Sequence, residues 1–262
     1  MSVLLNSYPP NVEWTPKSVS GLIHWSSADT FGLNDGNRIT TWRDLSGNNN
    51  HATASAGEYY ITYREGYRTF SESGFTSGKP YSGFWPEYYT GNICHMSFGN
   101  ILSACTASTI FVSINVSTRQ NFLPAPGQLY HLGLWEGTLF PNVDYRIHET
   151  FGSTTTHITT APIPNIGFYW RTYIVTTKAN EYKMYLDGSL IYSSGVNTVS
   201  FPSNFQVGQN VRGDIYTNPW PNYAQMYPYF NGGIRVFGLY NKALSTSEVS
   251  ALNIYLRRYC II

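Results

Sequence analysis

Apolar residues follow two rhythms along these 262 residues. Alternation with a period of two marks a strand with one buried face, and it recurs from end to end; a period of three to four marks a helix, and it occurs once. The clearest strands are residues 109–116 (TIFVSINV), β-branched and without a breaker, and residues 169–176. Residues 182–186 and 189–192 flank Asp187-Gly188. An Asp-Gly pair between alternating runs predicts a two-residue hairpin, because a type I′ turn needs φ > 0 at both positions. Shorter strands are expected at 22–25, 58–69 and 205–208, a short strand or bridge at 39–42, and a further pair at 129–135 and 143–148. Near the end, Gly232-Gly233 feeds a strand holding Ile234, Arg235, Val236 and Leu239. The helix follows it. Ser245-Thr246-Ser247-Glu248 has the S-x-x-E spacing of a capping box, and Val249, Leu252, Leu256 and Tyr259 fall on one face. Ile234, Val236, Leu239 and Leu244 are the core candidates of this stretch, and Arg257, Arg258 and Tyr259 are candidates for docking on a neighbour.

The intervening stretches read as irregular. Residues 1–20 carry Pro9, Pro10 and Pro16 and form an arm; residues 42–53 are rich in Asp, Ser and Asn, which bond their own backbone. Residues 71–92 read as a long loop or short edge strands, and residues 209–230 as a loop of prolines and aromatics. Neither a repeat nor a linker interrupts the pattern, so residues 21–262 form one all-β domain, a two-sheet antiparallel sandwich with one short C-terminal helix.

Composition narrows the chemistry. Charged residues make up 12 % of the chain, about half the usual share of a soluble domain. Sixteen basic and fifteen acidic residues leave a net charge of +1, which excludes a phosphate-binding surface built on a Lys/Arg excess. Tyrosine, with 22 copies, and Asn, Ser, Thr and Gly take the place of charge. Such a surface suits neutral partners such as sugars, or burial against copies of the same chain. Cys94, Cys105 and Cys260 are odd in number and lack metal-ligand spacing. They read as free thiols in a chain made in a reducing compartment, although a Cys94–Cys105 bridge stays open. The N-terminal residues have no basic region ahead of their apolar ones, so no signal peptide is expected, and no apolar run reaches the length of a membrane span.

Four stretches, in order, carry a resemblance. They are GLIHWSSADTFGLNDGNRITTWRDLSGNNNHAT (21–53), WRTYIVTTKANEYKMYLDGSLIYSSG (170–195), FQVGQ (205–209) and NGGIRVFGLYNKALSTSEV (231–249). The first holds a W-x-D-x-S-G-N-x-N-x-A loop, the second a Y-x-D-G hairpin and the last a Y-N-x-A-L-S-x-x-E corner. Together they resemble laminin-G-like jelly rolls of the concanavalin A-like lectin/glucanase superfamily. The resemblance implies two antiparallel sheets and covers less than half of the chain. It does not specify function, since the fold hosts lectins, glycosidases, adhesins and structural modules. Some laminin-G-like modules bind calcium through Asp, Asn and carbonyl oxygens; the oxygens available here are those of Asp35, Asp44 and Asn48, and no other cofactor is implied.

An enzyme is not expected. Glycosidases of this superfamily place carboxylates on one strand as E-x-D-x-E or E-x-D-x-x-E, where alternation holds them at the short separation a retaining mechanism needs. None of the nine Glu residues has an Asp two positions on. His148-Glu149 lacks the second His of a zinc-binding helix, and the six histidines are scattered. The binding candidates are aromatic: Tyr216, Trp220, Tyr223 and Tyr227 with Asn218 in the later loop, and Trp85 and Tyr88 in the earlier one. Flat rings stack on the apolar faces of sugars, and Asn218 bonds hydroxyls; the same residues also suit protein interfaces. Arg212-Gly213-Asp214 is an adhesion-type tripeptide at the mouth of the later loop.

The expectation is therefore a non-enzymatic, lectin-like structural or surface protein of a virion or phage, made in a host cytoplasm. It would touch particle proteins, copies of itself or host glycans, and neither nucleic acid nor a membrane span. A cellular carbohydrate-binding or adhesion module, extracellular or at the cell surface, is the alternative, and a divergent glycoside hydrolase comes last.

Overall fold

The computed structural model describes residues 13–54, 61–64, 81–84, 95–116, 147–160, 170–201, 203–207 and 232–260. In chain order the strands are β1 (Leu22–Ser27), β2 (Arg38–Ile39), β3 (Thr41–Trp42), β4 (Ala52–Ala54), β5 (Ile61–Arg64), β6 (Tyr81–Phe84), β7 (Met96–Gly99) and β8 (Ala107–Val116). They continue as β9 (His148–Glu149), β10 (His157–Ile158), β11 (Arg171–Lys178), β12 (Glu181–Leu186), β13 (Ser189–Ser194), β14 (Phe205–Val207) and β15 (Gly232–Tyr240). The sole α-helix among the described residues, α1 (Thr246–Arg257), ends the chain.

Two antiparallel sheets face each other. The larger has nine strands in the order β13-β12-β11-β8-β15-β6-β5-β2, with β1 also on β15; the smaller runs β14-β7-β4-β3. β15 pairs with β8 along its whole length, and its other edge is shared between β6 at Gly232–Ile234 and β1 at Val236–Tyr240. Between the sheets lie Trp42, Phe98, Phe205 and Phe237, with ring centroids 5.2–6.4 Å apart where they meet. Alternation sends Tyr173 and Val175 of β11 into this layer and Ile174 to the opposite face. There α1 lays Val249, Leu252, Tyr255 and Leu256 on Phe111, Ile174, Val236 and Tyr240. Each such side chain contributes roughly 1.5–3 kcal/mol by leaving water.

β15 serves both layers only because it is bulged. Ile114 of β8 faces Ile234 and the next residue back, Ser113, faces Val236, so Arg235 is the extra residue. Ile234, Phe237 and Leu239 consequently join the inner layer, while Val236 and Tyr240 turn to the helix. Arg235 also turns that way. It is buried, donates from Nη1 to the carbonyl of Tyr259, and sets its Cζ over the Trp170 ring, 3.8 Å from the centroid.

The expected hairpin is present: Asp187 and Gly188 have φ of 50° and 84°. Asp187 also accepts from Thr172 N–H and pairs with Arg171. The helix start is the expected box, with Ser245 Oγ accepting from Glu248 N–H and Glu248 accepting from Ser245 N–H at 2.8 Å. The polar corner before it is pinned to β8, where Thr109 Oγ1 donates to Lys242 O and accepts from Leu244 N–H.

Other expectations are corrected, refined or fall outside the described residues. Residues 39–42 are not one strand: Ile39 belongs to the larger sheet and Trp42 to the smaller, and the chain crosses between layers at Thr40. β4 lies within the stretch read as loop, because Thr53 and Ala54 find a ladder partner in β7, which short polar residues do not announce. β6 is interior rather than an edge; its small residues Ser82 and Gly83 fit between neighbouring strands, and Ser82 Oγ accepts from Trp42 Nε1–H. His148–Glu149 pairs with His157–Ile158, and residues 129–135 lie outside the described ones. Residues 13–20 are irregular but packed. Val19 is buried, Trp14 meets Tyr255, and the Pro16 carbonyl accepts from Tyr240 O–H. Arg258 and Tyr259 are engaged within the chain, Arg258 with Glu13 and Tyr259 with Tyr255 and Arg235.

Gly238 is the position with least room. A Cβ there would lie 2.1 Å from Phe111 Cζ and 2.8 Å from the His24 carbonyl, and the Phe111 ring is itself held against Tyr240. Gly238→Ala is expected to cost about 3 kcal/mol or more by overpacking. Gly195→Ala, into open space, should stay within about 0.5 kcal/mol of the parent. Urea denaturation of both variants checks the contrast.

Candidate functional site

Chemistry-bearing side chains gather in two places among the described residues, and a third location is defined by where strands end. The first is the loop over residues 42–51. Asp44 is its hub: Oδ1 accepts from Trp25 N–H at 3.1 Å and Ser46 N–H at 2.8 Å, and Oδ2 from Ser46 O–H at 2.7 Å and Asn50 N–H at 3.0 Å. The Asn48 and Asn50 amides donate to the carbonyls of Leu22 and Ile23, and Asp44 N–H donates to His51 Nδ1. The loop is thereby clipped to β1, which its irregular backbone would otherwise leave unsatisfied. His24 lies beneath it, fully buried. Its Nδ1 donates to the Asn50 carbonyl at 2.7 Å, and its ring stands edge-on to Phe98.

Of the residues considered for calcium, Asp44 directs both oxygens to N–H and O–H donors, Asn48 donates from its amide nitrogen, and Asp35 lies 3.4 Å from Arg64. Among the described residues no group of three or more His, Cys, Asp or Glu is placed to hold a metal.

The second gathering is sealed between β9, β10, β11 and β12. Glu149 is buried and accepts from Thr150 N–H, Phe151 N–H and the Tyr173 hydroxyl. His157 stacks on Tyr182 at 3.8 Å between ring centroids and reaches Ser153 through Nε2 and the Tyr192 hydroxyl through Nδ1. Burial, reinforced by the Glu149 charge, pushes both the Tyr173 and Tyr182 phenols well above their ordinary value, so both stay protonated. Burial lowers His157, against a raising hydrogen bond with Asn197. A carboxylate with two phenols and an imidazole has the makings of acid–base chemistry, but Glu149, Tyr173 and Tyr182 are closed to solvent. The cluster instead holds the β9–β10 hairpin on the larger sheet. Sequence reading treated Glu149 and His157 as scattered, and no spacing links them.

Trp85, Tyr88, Tyr216, Asn218, Trp220, Tyr223 and Tyr227 lie outside the described residues, as does Arg212-Gly213-Asp214. Their roots do not. Phe84, the last residue of β6, pairs directly with Gly232, the first of β15, and Gly232 pairs on its other side with Val116, the last of β8. The chain therefore leaves the sheet towards Trp85 and returns from residues 209–230 at one end of adjacent strands. The thiols are elsewhere. Cys105 and Cys260 are free, and burial pushes the Cys260 thiol up to about 11; Cys94 lies outside the described residues.

The sequence matches no family model and no curated protein. Solved structures do match. Domain 4 of an extracellular arabinanase from Geobacillus stearothermophilus, in complex with arabinotriose, superposes with a TM-score of 0.53 over 88 % of this chain and 98 % of that one, at 15 % identity. Trypanosoma rangeli sialidase with a bound inhibitor gives 0.50 at 14 % identity over 93 % of this chain, which spans about a third (34 %) of the enzyme. This is a concanavalin A-like jelly roll. Among the described residues the fold agrees with the expected sandwich from β11 to β15 and in α1, and the likeness to the arabinanase domain covers 88 % of this chain.

Within this lectin-like fold His24 couples stability to acid. Burial drives its pKa down to about 4, against the raising influence of its bond to Asn50 and of Asp44. An unfolded histidine takes up its proton near 6.5. Between those values the unfolded chain binds more protons, so stability falls as pH drops from 6.5 to 4 and levels off below. The loss attributable to His24 is about 3 kcal/mol. Burial alone would raise the Asp44 carboxyl, but its bonds from Ser46, Trp25 and Asn50 hold it below the ordinary value. Its share is present above the ordinary carboxylate range and lost as pH falls through the depressed value, in the same direction. Urea midpoints of a His24→Gln variant should lose most of the slope between pH 6.5 and 4; an unchanged slope would place the coupling on other groups.

Proposed function

We propose that this chain is a non-catalytic carbohydrate-binding or adhesion module that takes neutral oligosaccharides on aromatic side chains of residues 85–92 and 209–230. The observation that carries the proposal is the pairing of Phe84 with Gly232. It brings the roots of the two most aromatic segments to neighbouring positions at one end of the sheet, and to a rim of rings from both we assign the ligand: Trp85 and Tyr88 with Tyr216, Asn218, Trp220, Tyr223 and Tyr227. Flat rings from two segments would suit a chain of sugars, whose apolar faces repeat along its length. The charge-poor composition supports an uncharged ligand, and the likeness, over 88 % of this chain, to a domain in complex with arabinotriose supports a short saccharide.

The virion setting draws its support from composition and cysteine usage, and the architecture adds nothing to it. A glycosidase would need accessible paired carboxylates; Glu149, the buried acid nearest to other reactive groups, is sealed.

Binding to a glycan array followed by calorimetric titration with neutral arabino-oligosaccharides tests the reading. Trp220→Ala and Trp85→Ala should each weaken binding by about tenfold or more, as loss of an aromatic anchor does. Binding should vary little with salt, since no ion pair is involved. Two folded variants that both bind like the parent would remove the rim from the account.

A further inference from the structure

Trp170 stands directly before β11, and the ladder fixes where that is. Arg171, the first residue of β11, faces Ile114 of β8, and Val116, two residues further along β8, faces Gly232. The same register carried on by one residue sets Trp170 opposite Asn115, one residue short of the row formed by Val116, Gly232 and Phe84. The strands stand in the order β11-β8-β15-β6. Trp170 therefore belongs to the end of the sheet from which the chain leaves towards Trp85 and to which it returns from residues 209–230. At a strand spacing of about 4.8 Å, it lies about 14 Å across the sheet from Phe84.

Trp170 and Asn115 lie on the helix side of that end. Phe111 of β8 packs under α1, Ser113 meets Cys260 just past the helix, and Val112 and Ile114 point inward, so alternation puts Asn115 on the outer face. Trp170 shares that face, because the guanidinium over its ring belongs to Arg235, which is bonded to the Tyr259 carbonyl at the helix end. Both residues are partly exposed. Arg235 is buried and held, so its contact fixes the plane of the indole from one side. A flat ring with an amide about 5 Å away on the neighbouring strand is a pairing that suits a sugar. The ring takes an apolar face and the amide a hydroxyl, and little freedom is lost when a ligand stacks on a ring already fixed.

We propose that Trp170 and Asn115 form an outlying sugar subsite, the last contact of an oligosaccharide lying across the strand ends from β6 to β11. This subsite rests on the carbohydrate reading and sharpens it. A single sugar ring does not reach from the root of Trp85 to Trp170, so the ligand is a chain of several sugars and affinity grows with its length. The surroundings suit a neutral chain, since the neighbouring cations are already engaged, Arg235 with Tyr259 and Arg171 with Asp187.

Calorimetric titration of the full chain with arabino-oligosaccharides of increasing length tests this. The parent should bind longer chains more tightly until the subsite is filled. Trp170→Ala should weaken the longest chains by about tenfold and Asn115→Ala by about fivefold, with the shortest chain that binds unchanged by either. Trp170→Phe, which keeps a flat ring over Arg235, should recover most of the loss. A residue that only supports the fold would weaken short and long chains alike, and that result overturns the proposal. So does binding like the parent by both Trp170→Ala and Asn115→Ala while Trp85→Ala and Trp220→Ala lose affinity, an outcome that leaves the rim standing. If Trp170→Ala does not fold, Asn115→Ala and Trp170→Phe, which leave a ring over Arg235, decide on the same series. A parent that binds no chain of the series overturns this subsite and the carbohydrate reading together.

Discussion

The constraint on which the rest of this structure depends is that its central strands are buried on both faces. β15 and β8 carry the inner aromatic layer on one side and the terminal helix on the other. An antiparallel strand normally alternates between core and water. Here both positions of the alternation are apolar, with consequences visible residue by residue. The bulge at Arg235 resets the alternation so that Ile234 and Phe237, three apart, both reach the inner layer. Gly238 gives up a side chain so that Phe111 can cross it. Arg235, a charge with no exit to solvent, is compatible with that depth because an indole face and a helix-end carbonyl replace water around it. The clasp formed by strand, corner and helix is thus the centre of the sandwich as well as its end.

How much of this was legible follows from how local each interaction is. The Asp-Gly hairpin, the S-x-x-E cap and the long β8 run are specified by neighbours in sequence, and they were read correctly. The crossing at Thr40, the interior place of β6 and the partners of β4 and β9 depend on residues tens of positions away. Nothing in ASTIFV or YSGF says which strand will lie beside it. Residues 42–53 show the boundary well. Their Asp, Ser and Asn content announced a loop held by its own side chains, which is what Asp44 does, yet the same residues suggested calcium ligands. The difference lay in Trp25 N–H and the carbonyls of Leu22 and Ile23, supplied by a strand twenty residues earlier. The candidate site was legible only as composition: aromatic and proline content located two segments, while the register that roots them side by side belongs to the sheet.

The same logic explains where the charges went. Asp44 and Glu149 each accept several hydrogen bonds from backbone and side-chain donors. Each acts as a connector for irregular chain that has no ladder of its own. A carboxylate suits that task because it takes up to four donors, and bonds to a charged acceptor are about twice as strong as neutral ones. The acids that sequence reading would search for chemistry are therefore partly occupied in holding loops.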